Sequence, residues 1–175
     1  MKRSAALASL LLGAALVGVA PPASAVASCG YVWGSLPESA PSVRNAEVVD
    51  VRAGSHPCFD RLVVDLRGDG DGYFVRYVDE VHHDGSGEVV PVAGGARLEV
   101  VVVEPVAVPD GLHLADGGLP DVSGFGTFRD LAWAGSFEGQ TTFGLGVRAR
   151  LPFRVFTLDG PGSGSRLVVD VANRW

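Results

Sequence analysis

Apolar and polar residues alternate in short runs along most of the chain. Between Arg61 and Leu66 the order Arg-Leu-Val-Val-Asp-Leu puts Leu62, Val64 and Leu66 on one face of an extended segment, because successive side chains of a strand point to opposite sides. The run from Arg166 to Val171 repeats this almost letter for letter 105 positions later, with Leu167, Val169 and Val171 on the equivalent face. Strands are predicted at 45–52, 60–67, 73–81, 88–92, 96–103, 127–134, 136–146, 152–158 and 165–172. Between them stand turn-forming clusters such as Asp69-Gly70-Asp71-Gly72, Asp84-Gly85-Ser86-Gly87 and Asp159-Gly160-Pro161-Gly162. No stretch carries apolar residues at sustained helical spacing. The predicted fold class is all-β, and a near-identical strand towards each end of the region suggests a β-sandwich of two packed, pseudo-symmetric sheets, each closed by its own copy.

Two regions lack the alternation. Ser35 to Val43 is rich in Pro and Ser and reads as a linker. Glu104 to Gly126 holds Pro105, Pro109, Pro120 and five glycines, and reads as a solvated connection between sheets.

The first residues follow another logic. Lys2 and Arg3 precede an uncharged run from Ala5 to Ala20, then Pro21-Pro22 and the small triplet Ala23-Ser24-Ala25, the pattern of a secretory signal peptide. The run is shorter than a bilayer span requires, and the proline pair interrupts it. The expected organisation is a signal peptide over 1–25, an N-terminal segment and linker over 26–43, and one domain over 44–175, located outside the cell or at its envelope. No second apolar run is long enough for a transmembrane segment.

Losing residues 1–25 removes two cations and no acids, taking the formal charge from −6 to −8. That balance argues against a nucleic-acid partner, whose affinity comes largely from neutralising phosphates. Lys2 is the sole lysine, in keeping with a high-GC bacterial genome, so every other fixed cation is an arginine able to grip planar anions bidentately.

Cys29 and Cys58 are the only cysteines. An even count in a secreted chain points to a disulfide between them. The alternative is acylation, since Val26-Ala27-Ser28-Cys29 spells a tolerable lipobox, although Pro21 to Val26 separate it from the apolar run.

Taken together, several segments resemble one family. Phe128-Arg129-Asp130, Trp133 to Thr142, Gly144-Leu145-Gly146, Leu151 to Val155 and Arg166 to Val171, with His56-Pro57-Cys58-Phe59-Asp60-Arg61, Gly72-Tyr73, Tyr77-Val78 and Asp84 to Gly87 upstream, resemble the AMIN-like domain of secreted actinobacterial proteins over about residues 44–173. The resemblance implies a β-sandwich of two related sheets, no catalytic activity and no cofactor. The distantly similar AMIN domains bind peptidoglycan and target amidases and secretin channels to the envelope; here such a domain is expected to stand without an attached amidase.

Tests for other chemistry agree with a non-enzymatic reading. No serine has glycine two residues away on both sides, as a nucleophile elbow requires, and a paired Cys58 has no thiolate. His82-His83-Asp84 is read as a polar hairpin rim rather than a metal site, because adjacent strand residues face opposite ways. Asp69, Asp71 and Glu80 sit at calcium-loop spacing, but Tyr73 and Phe74 occupy positions needing an oxygen ligand and a glycine. Glu138 with Asp130 would serve glycoside hydrolysis only at about 5 to 10 Å separation.

The most site-like cluster is Arg148 with Arg150, placed on one face by strand alternation. Glu138, Gln140 and Thr142 share a face one segment earlier, and pairing of the two segments would make a polar strip edged by Trp133 and Phe137. The strip suits sugar rings on aromatic faces and carboxylates on guanidinium forks. The expected partner is a cell-wall polymer, peptidoglycan or an associated anionic polymer, with an envelope protein as the alternative and a small wall-glycan hydrolase as a third reading.

Overall fold

The computed structural model describes residues 29–30, 32–43, 45–107, 114 and 118–175. The expected signal peptide and the first three lipobox residues lie outside them. Among the described residues eleven strands run in chain order: β1 (Glu38–Ala40), β2 (Ala46–Ser55), β3 (Phe59–Gly68), β4 (Tyr73–Val78), β5 (Val81–His82), β6 (Val89–Val90), β7 (Ala96–Val102), β8 (Phe128–Phe137), β9 (Gln140–Val147), β10 (Phe153–Asp159) and β11 (Ser165–Ala172). They form a five-stranded sheet, β1-β4-β7-β9-β8, a four-stranded sheet, β10-β11-β3-β2, and the small hairpin β5-β6. All strand pairs within the sheets are antiparallel.

The two large sheets pack as a β-sandwich. Leu62, Val64, Leu66, Leu167, Val169 and Val171 from one meet Val75, Leu98, Val100, Phe143, Leu145 and Val147 from the other in one buried cluster. These are the faces that the alternation assigns.

The repeat is used differently from the expectation. Its two copies lie side by side in the four-stranded sheet instead of closing one sheet each. Their register pairs Arg61 with Asp170, Leu62 with Val169, Val63 with Val168, Val64 with Leu167 and Asp65 with Arg166. The physical reason is that Arg and Asp stand four positions apart, so antiparallel pairing of two copies sets opposite charges across from each other at both ends. The pseudo-symmetry therefore runs between β3 and β11, within one sheet.

Three boundaries also differ. Glu38–Ala40, inside the predicted linker, pairs with Tyr73–Val75 as β1. The break expected near Gly135 is a bulge in a continuous β8; the turn comes at Glu138-Gly139, both with positive φ (49° and 80°). Two such residues suit the two-residue hairpin turns whose twist matches the flanking strands. The described residues of the 104–126 segment are not a solvated connection: Val106 bridges to Val48, Ala107 is buried, and Leu114 and Val122 are buried in the core of the sandwich.

The region 79–95, carrying the β5-β6 hairpin, roofs the outer face of the five-stranded sheet, with Val81, Val92 and Ala134 as a small second core. Gly144 and Gly146 permit this contact. A Cβ at Gly146 would stand 1.8 Å from the carbonyl oxygen of Ala93, and one at Gly144 would stand 2.7 Å from Val92 Cγ2. Backbone must move to accommodate a methyl at 146, so Gly146→Ala is expected to cost about 2 to 3 kcal/mol. Urea denaturation checks this; a loss under about 0.5 kcal/mol would show that the roof is loosely seated.

Candidate functional site

Many of the motif residues are committed to structure. Cys29 and Cys58 form a disulfide with Cα atoms 5.6 Å apart, so Cys29 has no free thiol to acylate. Asp60 is buried in the sandwich, and its Oδ2 accepts the backbone N–H groups of Thr127 (2.5 Å) and Phe128 (3.0 Å) while Oδ1 accepts the Ser55 hydroxyl (2.9 Å). Asp130 Oδ2 accepts the Ala93 N–H at 2.8 Å and pins the roof.

On the outer face of the four-stranded sheet the buried Asp170 carboxylate is held by two guanidiniums. Arg61 donates to both its oxygens (2.6 and 2.9 Å), and Arg154 donates from two nitrogens to Oδ2 (2.9 and 2.8 Å). Arg154 stacks on Trp33 (4.5 Å) and Phe156 (4.9 Å), and Arg61 on Phe59 (5.1 Å). Every charge here has a partner, and the cluster binds the N-terminal segment to the sheet.

The predicted strip is dispersed. Glu138 sits in the β8-β9 turn and Arg148 beyond the far end of β9, so eight residues of extended chain, about 26 Å, lie between them. Arg148 and Arg150 follow β9 in a bend, where strand alternation does not apply. Arg148 Nη2 donates to the Asn173 carbonyl. Gln140 is exposed at the turn, Phe137 is exposed beside it, and Thr142 is buried beneath the roof, where its side chain hydrogen-bonds Asp84. Burial pushes the Asp84 carboxyl above its ordinary range despite that hydrogen bond. Trp133 packs edge-on against Phe143 at 5.6 Å and belongs with the core. Asp130 and Glu138 are likewise about 26 Å apart along β8, well beyond the separation of a glycosidase pair. His82 and His83 direct their Nδ1 atoms to the carbonyls of Gly87 (3.1 Å) and Asp84 (2.8 Å).

Of the predicted residues, Arg150 lines a cavity. A groove of about 450 Å³ is bounded by Arg76, Tyr77, Asp79, Ala96, Arg97 and Arg150. Arg76 is paired with Glu99 at 2.8 Å. Arg97 Nε donates to the Val92 carbonyl (2.9 Å) and Arg150 Nη2 to the Ser35 carbonyl (2.7 Å). Neither meets a carboxylate among the described residues. The Arg150 guanidinium lies over the Tyr77 ring at 4.7 Å, and the Tyr77 hydroxyl both donates to the Leu151 carbonyl (2.8 Å) and accepts its N–H (2.9 Å). Burial raises the Tyr77 pKa, more than the Leu151 hydrogen bond and Arg150 lower it, so the phenol is neutral at physiological pH.

The groove presents fixed cations in an acidic molecule and can clamp a carboxylate or phosphate. Arg76, Tyr77 and Arg97 escape sequence reasoning because they sit on two strands and become neighbours only through the β4-β7 register, which sets Arg97 opposite Val78. Residues 79–95, with β5 and β6, intervene between the two strands, so no local turn pattern announces that pairing.

A family model described as AMIN-like domain matches residues 46–173. No curated protein and no solved structure matches the chain significantly.

Proposed function

The chain belongs to the AMIN-like domain family, and from that premise we propose that it is a secreted, non-catalytic binding module of the cell envelope, freed of residues 1–25 on export, that holds an anionic wall polymer in the Arg97–Arg150 groove. The observation carrying this is the pair of guanidiniums that share one groove and meet no carboxylate among the described residues. Peptidoglycan supplies carboxylates on its stem peptides, and attached wall polymers supply phosphates; both fit a guanidinium fork.

Co-sedimentation of the mature domain with isolated sacculi, with and without their attached anionic polymers and across a salt series, tests the reading. Saturable binding weakened by salt is expected, because exposed charge pairs are screened. Arg97→Ala with Arg150→Ala is expected to weaken binding by about tenfold or more, the scale of one to two charge-assisted hydrogen bonds, while stability falls by less than about 1 kcal/mol. Equal binding by the double variant sinks the assignment of the groove.

One observation favours a second reading. β1 covers the edge of β4 only as far as Val75, so the edge at Arg76–Val78 is open beside the groove among the described residues. An envelope protein could add a strand there. That reading predicts a discrete protein partner and no affinity for isolated wall.

A further inference from the structure

Large exposed apolar side chains gather at one end of the domain. Val32 is 99% exposed, Leu36 75% and Trp175 73%. Contacts of the adjoining residues bring the segments that carry them to the same end. Arg150 donates to the Ser35 carbonyl, next to Leu36, while the Trp175 indole N–H donates to the Arg150 carbonyl at 3.1 Å. Gly34 pairs with Phe153, which brings the segment carrying Val32 alongside. The other large exposed apolar residues, Val43, Val89, Phe137 and Leu158, are scattered over other elements, as is ordinary for a protein surface.

Arginines surround this patch. Arg148, Arg150 and Arg174 are all exposed, and their contacts go to the Asn173 carbonyl, the Ser35 carbonyl and Tyr77 ring, and Cys29 Sγ. None pairs with a carboxylate among the described residues. The disulfide fixes the apolar segment in place, so little order need be gained on docking.

We propose that Val32, Leu36 and Trp175, ringed by Arg148, Arg150 and Arg174, form a docking surface for an anionic lipid bilayer. The apolar side chains, tryptophan above all, enter the interfacial layer, and the guanidiniums meet lipid phosphates. Charge complementarity selects this occupant over a neutral surface. A domain seated this way keeps the Arg97 side of the groove open towards the wall.

The test is co-sedimentation of the mature chain with vesicles of phosphatidylcholine alone or mixed with phosphatidylglycerol. Partition onto the anionic vesicles is expected to exceed that onto neutral ones by about tenfold or more, since each arginine near an anionic surface contributes to attraction. Val32→Asp with Leu36→Asp is expected to abolish vesicle binding and leave sacculus binding unchanged, whereas Arg97→Ala weakens sacculus binding and spares vesicles. Equal partition onto neutral vesicles, or undiminished binding by the double aspartate variant, overturns the proposal. Light scattering at twice the monomer mass without vesicle binding assigns the patch to a second copy of the chain and also overturns it.

Discussion

Replacing Asp60 by alanine is expected to lower the free energy of unfolding by about 4 kcal/mol. The carboxylate is fully buried and accepts the backbone N–H groups of Thr127 and Phe128 and the Ser55 hydroxyl. Removing it strands two buried N–H donors where β8 begins, each costing about 1 to 3 kcal/mol because water does not reach them. Against a typical domain stability of about 5 to 15 kcal/mol, that loss leaves a marginal fold. Asp60→Asn keeps the volume and one acceptor oxygen, so about half the loss is expected. Urea midpoints for both variants check the ranking; a loss near zero for alanine would mean that the segment at Thr127 is held by the Thr127 hydroxyl contacts to Ala172 and Asn173 instead.

Removing both cysteines, by Cys29→Ser with Cys58→Ser, is expected to cost about 3 to 4 kcal/mol. The bridge spans 29 positions, and a loop of that length loses roughly this much denatured-state entropy when closed. The native state offers a consequence beyond entropy. The bridged segment places Trp33 on Arg154, pairs Gly34 with Phe153 and presents the Ser35 carbonyl to Arg150. Unstapled, it frays more readily, and the Arg150 side of the groove loses a fixed partner. A shifted urea midpoint combined with weaker sacculus binding is the expected pair of results. Lowered stability with unchanged binding would show that Arg150 is oriented by Tyr77 without help from Ser35.

Several motif residues that carry the family resemblance prove to be load paths of the fold. Asp60 ties the two sheets, Asp130 and the Gly144-Leu145-Gly146 run seat the roof, and Arg61 with Asp170 joins the repeat copies. The groove arginines Arg76, Arg97 and Arg150 lie outside the segments that carry the resemblance, which reach the groove only at Tyr77 and Val78; Arg150 is singled out by its spacing from Arg148.

The hydrophobic alternation by itself determined the all-β class, the inward faces of β3 and β11 and most strand limits, because side-chain direction in a strand is a local property with period two. Cysteine count and context pointed to the bridge that the structure contains. Tertiary structure decided which strands became neighbours. It set the two repeat copies against each other, since Arg and Asp four residues apart complement only an antiparallel twin, and it carried Glu138 and Arg148 to opposite ends of β9. It also drew Arg76, Arg97 and Arg150 from separate segments around one groove. Convergence of that kind depends on register and on the packing of one sheet against another, which no local pattern encodes.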